Sequence, residues 1–129
     1  MNPLSLTCEY NKKIFESNLG ISKSGNAGIS HNGNLSIKPS GVDVSALLES
    51  EVSVLEIKSA KQLSGLSPST DTPTYIEILK SFPSIGAIIH THSKFATAWA
   101  QTCKPIPCIG TSHADYWPLN IPVTEKLNH

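Results

Sequence analysis

Two histidines one residue apart, His90 and His92 in "SIGAIIHTHSKFA", close an apolar run within residues 84–96. Along a β-strand side chains alternate faces, so both imidazoles would leave one face and Thr91 the other. Two such imidazoles are a candidate pair of metal ligands; the plain alternative is two hydrogen-bonded surface histidines. Asp71, just before the helix-start signal Thr72–Pro73, adds a carboxylate. A carboxylate there is favoured by the free amides and the helix dipole whether or not it has a second use. Brought beside the histidines, it completes a nitrogen and oxygen donor set of the kind that holds a divalent transition metal, most often zinc.

Further chemistry is spread along the chain. Asp115, close to His113 in "SHADYW", is a candidate general acid or base, or an ordinary turn aspartate. Lys38, Ser40 and Gly41 in "KPSG" offer a cation, a hydroxyl and an open backbone. That inventory holds a phosphate without a Walker-type loop, and it also makes a plain turn. Gly25–Asn26 reads either as a turn or as a close approach of backbone to ligand. Ser69 and Thr70 are helix-start hydroxyls or further phosphate donors. Cys103 and Cys108 have a C-x4-C spacing, but no second thiolate pair exists and prolines interrupt the segment, so buried apolar thiols are the better reading. With Cys8 they make an odd number, which argues against a disulfide scaffold.

The elements that must position these groups follow from periodicity. Leu6, Tyr10, Ile14 and Leu19 predict an amphipathic opening helix over 6–19 with Thr7 as its cap. Ile29, Leu35 and Ile37 around Asn32–Gly33 predict a β-hairpin. A helical turn and a strand at about 52–57 come next, then a polar loop through "KSAKQLSGLSPSTD". Tyr75, Ile76, Leu79 and Phe82 form the buried stripe of a helix over 73–82. A strand at 86–91 and a helix capped by Ser93, with Phe95, Ala98 and Trp99 inward, complete the regular part. The remainder, centred on "TSHADYW", reads as loop.

Bulk properties narrow the function classes. The chain has 129 residues, enough for one modest domain. Ten basic and ten acidic residues give zero formal net charge, so no long-range field recruits nucleic acid or an anionic membrane. No apolar run approaches the roughly 18 residues of a membrane span, and no secretory signal is evident, so a cytoplasmic setting is expected.

Taken in order, "GN" at 25–26, "IKPSGVD" at 37–43, "PSTDTPTY" at 68–75, "IGAIIHTHSKFATAWAQ" at 85–101 and "GTSHADYW" at 110–117 resemble the class II aldolase/adducin family, and most closely its L-ribulose-5-phosphate 4-epimerase branch. The resemblance implies an α/β/α sandwich with a largely antiparallel central sheet, usually a homotetramer with active sites at subunit interfaces. It implies Zn²⁺ on His90 and His92, with Asp71 at or beside the metal. It places Gly25, Asn26, Lys38, Ser40, Gly41, Ser69 and Thr70 on the sugar phosphate, and Asp115 on the catalytic acid/base. The implied reaction breaks the C3–C4 bond of a pentulose 5-phosphate by a retro-aldol step, rotates the aldehyde fragment and rejoins it with C4 inverted.

The chain departs from that pattern in three ways. It ends at His129, roughly halfway through a family domain, before the segment that carries a third zinc histidine and a catalytic tyrosine; His129 is not promoted to that role. The hairpin between "GN" and "KPSG" is short, and Ser24 stands where the epimerases carry a bulky aromatic residue. Two other readings stay open: a class II sugar-phosphate aldolase, and a non-catalytic remnant or interaction module, as in the adducin head.

Overall fold

The structure, a computed structural model, describes residues 2–20 and 24–125. It divides into two compact units, one running to Thr91 and one beginning at His92. His129 lies outside the described residues.

The first unit opens with α1 (Pro3–Glu16). Asn2 caps it, its side chain accepting from the Leu4 amide at 3.0 Å, and Pro3 occupies the first turn. The expected cap, Thr7, is instead an interior residue whose hydroxyl donates to the Pro3 carbonyl at 2.8 Å. Asn-Pro is the stronger start signal, because proline is preorganised for the first turn and has no amide to leave unsatisfied. The buried face is Thr7, Asn11 and Ile14, while Tyr10 and Leu19 are exposed.

Strands β1 (Asn26–His31) and β2 (Asn34–Ile37) form the expected hairpin. Asn32 and Gly33 both have positive φ, +49° and +77°, as a two-residue type I′ turn requires. Two 3₁₀ turns, Val44–Ala46 and Glu49–Glu51, lead into β3 (Ser53–Glu56). The segment read as a polar loop contains a further strand, β4 (Gln62–Ser64), paired with β3 across an irregular register. All three of its residues are exposed, so it lacks the apolar alternation that betrays a half-buried strand. With β5 (Ala87–His90) the sheet has the order β4-β3-β2-β1-β5, antiparallel throughout.

Helix α2 (Thr72–Ser81) covers one face of this sheet. Its Tyr75, Ile76 and Leu79 pack with Leu35, Ile37 and Leu55 in the core, while Phe82, expected in that stripe, is exposed just past the helix end. Helix α1 covers the opposite face. The Thr7 hydroxyl reaches the Ser36 carbonyl at 3.4 Å, and Asn11 both donates to the Ala27 carbonyl and accepts from its amide, at 3.0 and 2.9 Å. Asn11 thus treats β1 as an adjacent strand would. The unit is an α/β/α layering in which Gly28 permits the closest approach: a Cβ there would lie 2.8 Å from the Tyr75 ring.

The second unit holds α3 (Lys94–Gln101), α4 (Thr111–Tyr116) and an antiparallel bridge between Ile106 and Ile121. Here two expectations fail. Phe95, Ala98 and Trp99 are not buried, and Ser93 makes no side-chain capping bond. "TSHADYW" is not a loop but contains α4, whose six residues are too few to display a helical period. Cys8, Cys103 and Cys108 are free thiols, none of them buried. Among the described residues no helix is long and apolar enough to cross a membrane.

Candidate functional site

The start of β1 and the end of β5 meet at one end of the sheet, where Asn26 pairs directly with His90. The pairing stops there because the chain turns at Gly25, which is buried with φ +81°. A Cβ on Gly25 would approach the His90 carbonyl to 3.3 Å, in a backbone region that L side chains rarely adopt. His92 therefore lies beyond the strand and begins the second unit. The expected sharing of one strand face by both histidines does not extend to it.

Two segments far apart in sequence join at the same end. Pro39 and Pro68 form an isolated antiparallel bridge, flanked by bonds from the Ser40 amide to the Ser67 carbonyl at 2.9 Å and from the Ser69 amide to the Lys38 carbonyl at 3.2 Å. "KPSG" and "STD" are thereby neighbours. Lys38 is only 3% exposed, and its Nζ donates to the Pro39 carbonyl at 3.3 Å. Ser40, Gly41 and Thr70 are exposed, and Gly41 has φ +69° with open space around it. Ser69 is buried, and its Oγ accepts from the Asp71 amide at 3.3 Å.

Asp71 stands at the helix N-cap yet makes no side-chain capping bond. Its Oδ2 accepts from Asn26 Nδ2 at 2.6 Å and lies 2.9 Å from His90 Nδ1. An ionised carboxylate only accepts, so the imidazole nitrogen is the donor. Asn26 Nδ2 also donates to Ser69 Oγ at 3.3 Å, whereas its Oδ1 is buried without a hydrogen-bond partner in the protein. A buried acceptor left unpaired is costly, which marks this as a place for a donor from a bound molecule.

Tyr75 entered the sequence reading as packing alone. Its hydroxyl donates to the Asn26 carbonyl at 2.9 Å, and the His90 backbone amide is hydrogen-bonded to it. Burial, reinforced by the negative charge of Asp71, pushes the phenol well above its ordinary range; the His90 amide acts in the opposite sense. The available signal was general: a buried tyrosine finds a partner for its hydroxyl.

The donor chemistry at this end of the sheet suits a divalent cation as far as it goes, offering one imidazole backed by one carboxylate. Among the described residues no group of three His, Cys, Asp or Glu comes together. In the second unit His113 Nε2 is 3.1 Å from the Leu119 carbonyl, and Asp115 is exposed on α4.

Known proteins share this arrangement. Over 93 residues the chain is 46% identical to the Probable L-ribulose-5-phosphate 4-epimerase UlaF of Mycoplasma pneumoniae, covering 71% of this chain and 38% of that protein. Among solved structures it resembles an L-fuculose 1-phosphate aldolase with a TM-score of 0.77 at 28% identity, covering 82% of this chain and 51% of that one. The L-fuculose-1-phosphate aldolase from Thermus thermophilus gives a TM-score of 0.78 at 16% identity, over 95% and 62% of the two chains, and supports the fold alone. The chain spans about half the length of these solved relatives and less of the epimerase. The fold is that of the class II aldolases. The class II aldolase and adducin N-terminal domain matches residues 5–129, and the chain belongs to that family.

Proposed function

We propose that the chain serves the zinc-dependent 4-epimerisation of a pentulose 5-phosphate, with L-ribulose 5-phosphate as substrate. The observation that carries this is the convergence of Asn26, Asp71 and His90 at one sheet end, with "KPSG" and "STD" joined beside them. The 46% identity to a probable enzyme of that name supports the same reading.

In this proposal Gly25, Asn26, Lys38, Ser40, Gly41, Ser69 and Thr70 hold the sugar phosphate. Lys38 supplies positive charge, the serines and Thr70 supply hydroxyl donors, and the glycines admit the ligand close to the backbone. His90 and His92 hold Zn²⁺, with Asp71 at or beside it, and Asp115 moves the proton on the C4 oxygen. The metal, when bound, supplies the Lewis acidity that the cleavage of C3–C4 requires. Zinc prefers four ligands, so the remaining positions fall to other parts of a family domain or to solvent. Assembly into a homotetramer in the cytoplasm belongs to the same proposal.

The test incubates the full chain with L-ribulose 5-phosphate and Zn²⁺ and follows the sugar by ¹³C NMR. The C4 epimer is expected to accumulate with Zn²⁺ and to vanish with chelator or in His90→Ala. No epimer at saturating Zn²⁺ overturns the proposal for this chain. Accumulation of two fragments without rejoining supports instead a class II sugar-phosphate aldolase, the reading favoured by the 28% identity to L-fuculose 1-phosphate aldolase.

A further inference from the structure

We infer that Asp71 is the positioning residue for His90: it holds the ring as the Nδ1–H tautomer, so that Nε2 is the nitrogen turned to a divalent cation, and it is not itself a ligand of that cation. The cation part of this inference rests on the proposed function; the tautomer part rests on the geometry alone.

Three contacts triangulate the ring. The backbone of His90 is fixed opposite Asn26 by strand register. The Tyr75 hydroxyl bonds both partners of that pair, the Asn26 carbonyl at 2.9 Å and the His90 amide. The ring itself then meets Asp71 Oδ2 at 2.9 Å. Because a carboxylate has no proton to give, the hydrogen between them belongs to Nδ1. A neutral imidazole protonated at Nδ1 carries its lone pair on Nε2, the form in which histidines bind metals when a carboxylate stands behind them.

The carboxylate is itself held. Asn26 Nδ2 donates to the same Oδ2 at 2.6 Å, and Asn26 is 3% exposed. An oxygen already accepting two hydrogen bonds has part of its charge committed, and both bonds would be broken or bent if that oxygen moved onto a cation. Asp71 also forgoes the capping bond that its position offers, which is how a carboxylate diverted to another task behaves. The consequence is a division of labour: His90 binds, Asp71 orients, and Asn26 steadies Asp71.

The test uses the full chain without metal, labelled with ¹⁵N in its histidine rings, in long-range ¹H–¹⁵N correlation spectra at alkaline pH. His90 is identified by the signals lost in His90→Gln. The expected result is a protonated Nδ1 and an unprotonated Nε2, with that preference lost in Asp71→Ala and kept in Asp71→Asn, whose amide oxygen still accepts. A wild-type His90 protonated at Nε2 overturns the inference without recourse to any variant, as does an unchanged pattern in Asp71→Ala.

Calorimetric titration with Zn²⁺ tests the second part. Loss of a supporting partner costs about 10–100-fold in metal affinity, so Asp71→Ala is expected to fall by that factor and Asp71→Asn by clearly less. Equal losses in the two variants identify Asp71 as a ligand and overturn this part. The expected tautomer in a chain that takes up no Zn²⁺ overturns the cation part together with the metal of the proposed function, and leaves the tautomer part standing.

Discussion

The unit ending at Thr91 and the unit beginning at His92 are both rich in apolar side chains, but they use them differently. In the first, Leu35 and Ile37 have no exposure and lie between sheet and helix with Leu55, Tyr75, Ile76 and Leu79. In the second, no described residue is buried, and Phe95 on α3 is 77% exposed. Periodicity states which face of an element is apolar; it does not state what covers that face. For α2 the covering partner is the sheet within the same unit. For α3 the same kind of stripe stays open among the described residues of its unit.

That contrast can be broken by substitution. Leu35→Ala removes a fully buried side chain and is expected to cost about 2–5 kcal/mol, read from urea unfolding. Phe95→Ala, which removes a larger side chain from an exposed position, is expected to stay within about 0.5 kcal/mol. Comparable losses at the two positions would mean that α3 is as well packed as the sheet. Gly28→Ala sharpens the description of the first unit, since the added methyl meets the Tyr75 ring and Leu35 at under 3 Å. Overpacking of this kind costs about 1–3 kcal/mol, and a neutral result would show that α2 can lift from the sheet without penalty.

The smallest effect at neutral pH is expected from Tyr75→Phe, about 1 kcal/mol for the lost hydroxyl bonds, but it has a distinctive pH signature. The phenol is raised in the folded chain, whereas in the unfolded chain it ionises near its ordinary value of about 10. Below that value both states keep the proton and the tyrosine contributes fully. As pH rises above it, only the unfolded state releases the proton, and stability is lost. Phenylalanine has no proton to release, so the alkaline decline of stability should be shallower in the variant. Parallel declines in the two proteins would show that the hydroxyl is not held as described.

What could be read from residue order was local. Asn32–Gly33 and Thr72–Pro73 announce a hairpin and a helix because each dipeptide constrains its own backbone. The start of α1 was displaced because Asn2–Pro3 outranks Thr7, and β4 was hidden because an exposed polar edge strand has no apolar alternation. At the candidate site, donor chemistry anticipated the meeting of Asp71 and His90, but the expectation that His92 shares a strand face with His90 failed because the strand ends at His90, opposite the turn at Gly25. The roles of Tyr75 and of the Pro39–Pro68 bridge depend on contacts between residues tens of positions apart, which no local pattern encodes.

The facing prolines also settle a question of alignment. Neither Pro39 nor Pro68 carries an amide hydrogen, so the two pair only where the bonds fall to Ser40 and Ser69 on either side. A slip by one residue would turn one proline nitrogen onto an opposing carbonyl with nothing to give it, and would flip the neighbouring side chains to the other face. The bridge is thus an index mark: it admits one alignment of two distant segments and rejects the adjacent ones, so that Lys38 and Ser69 meet in a single combination rather than in an average over several.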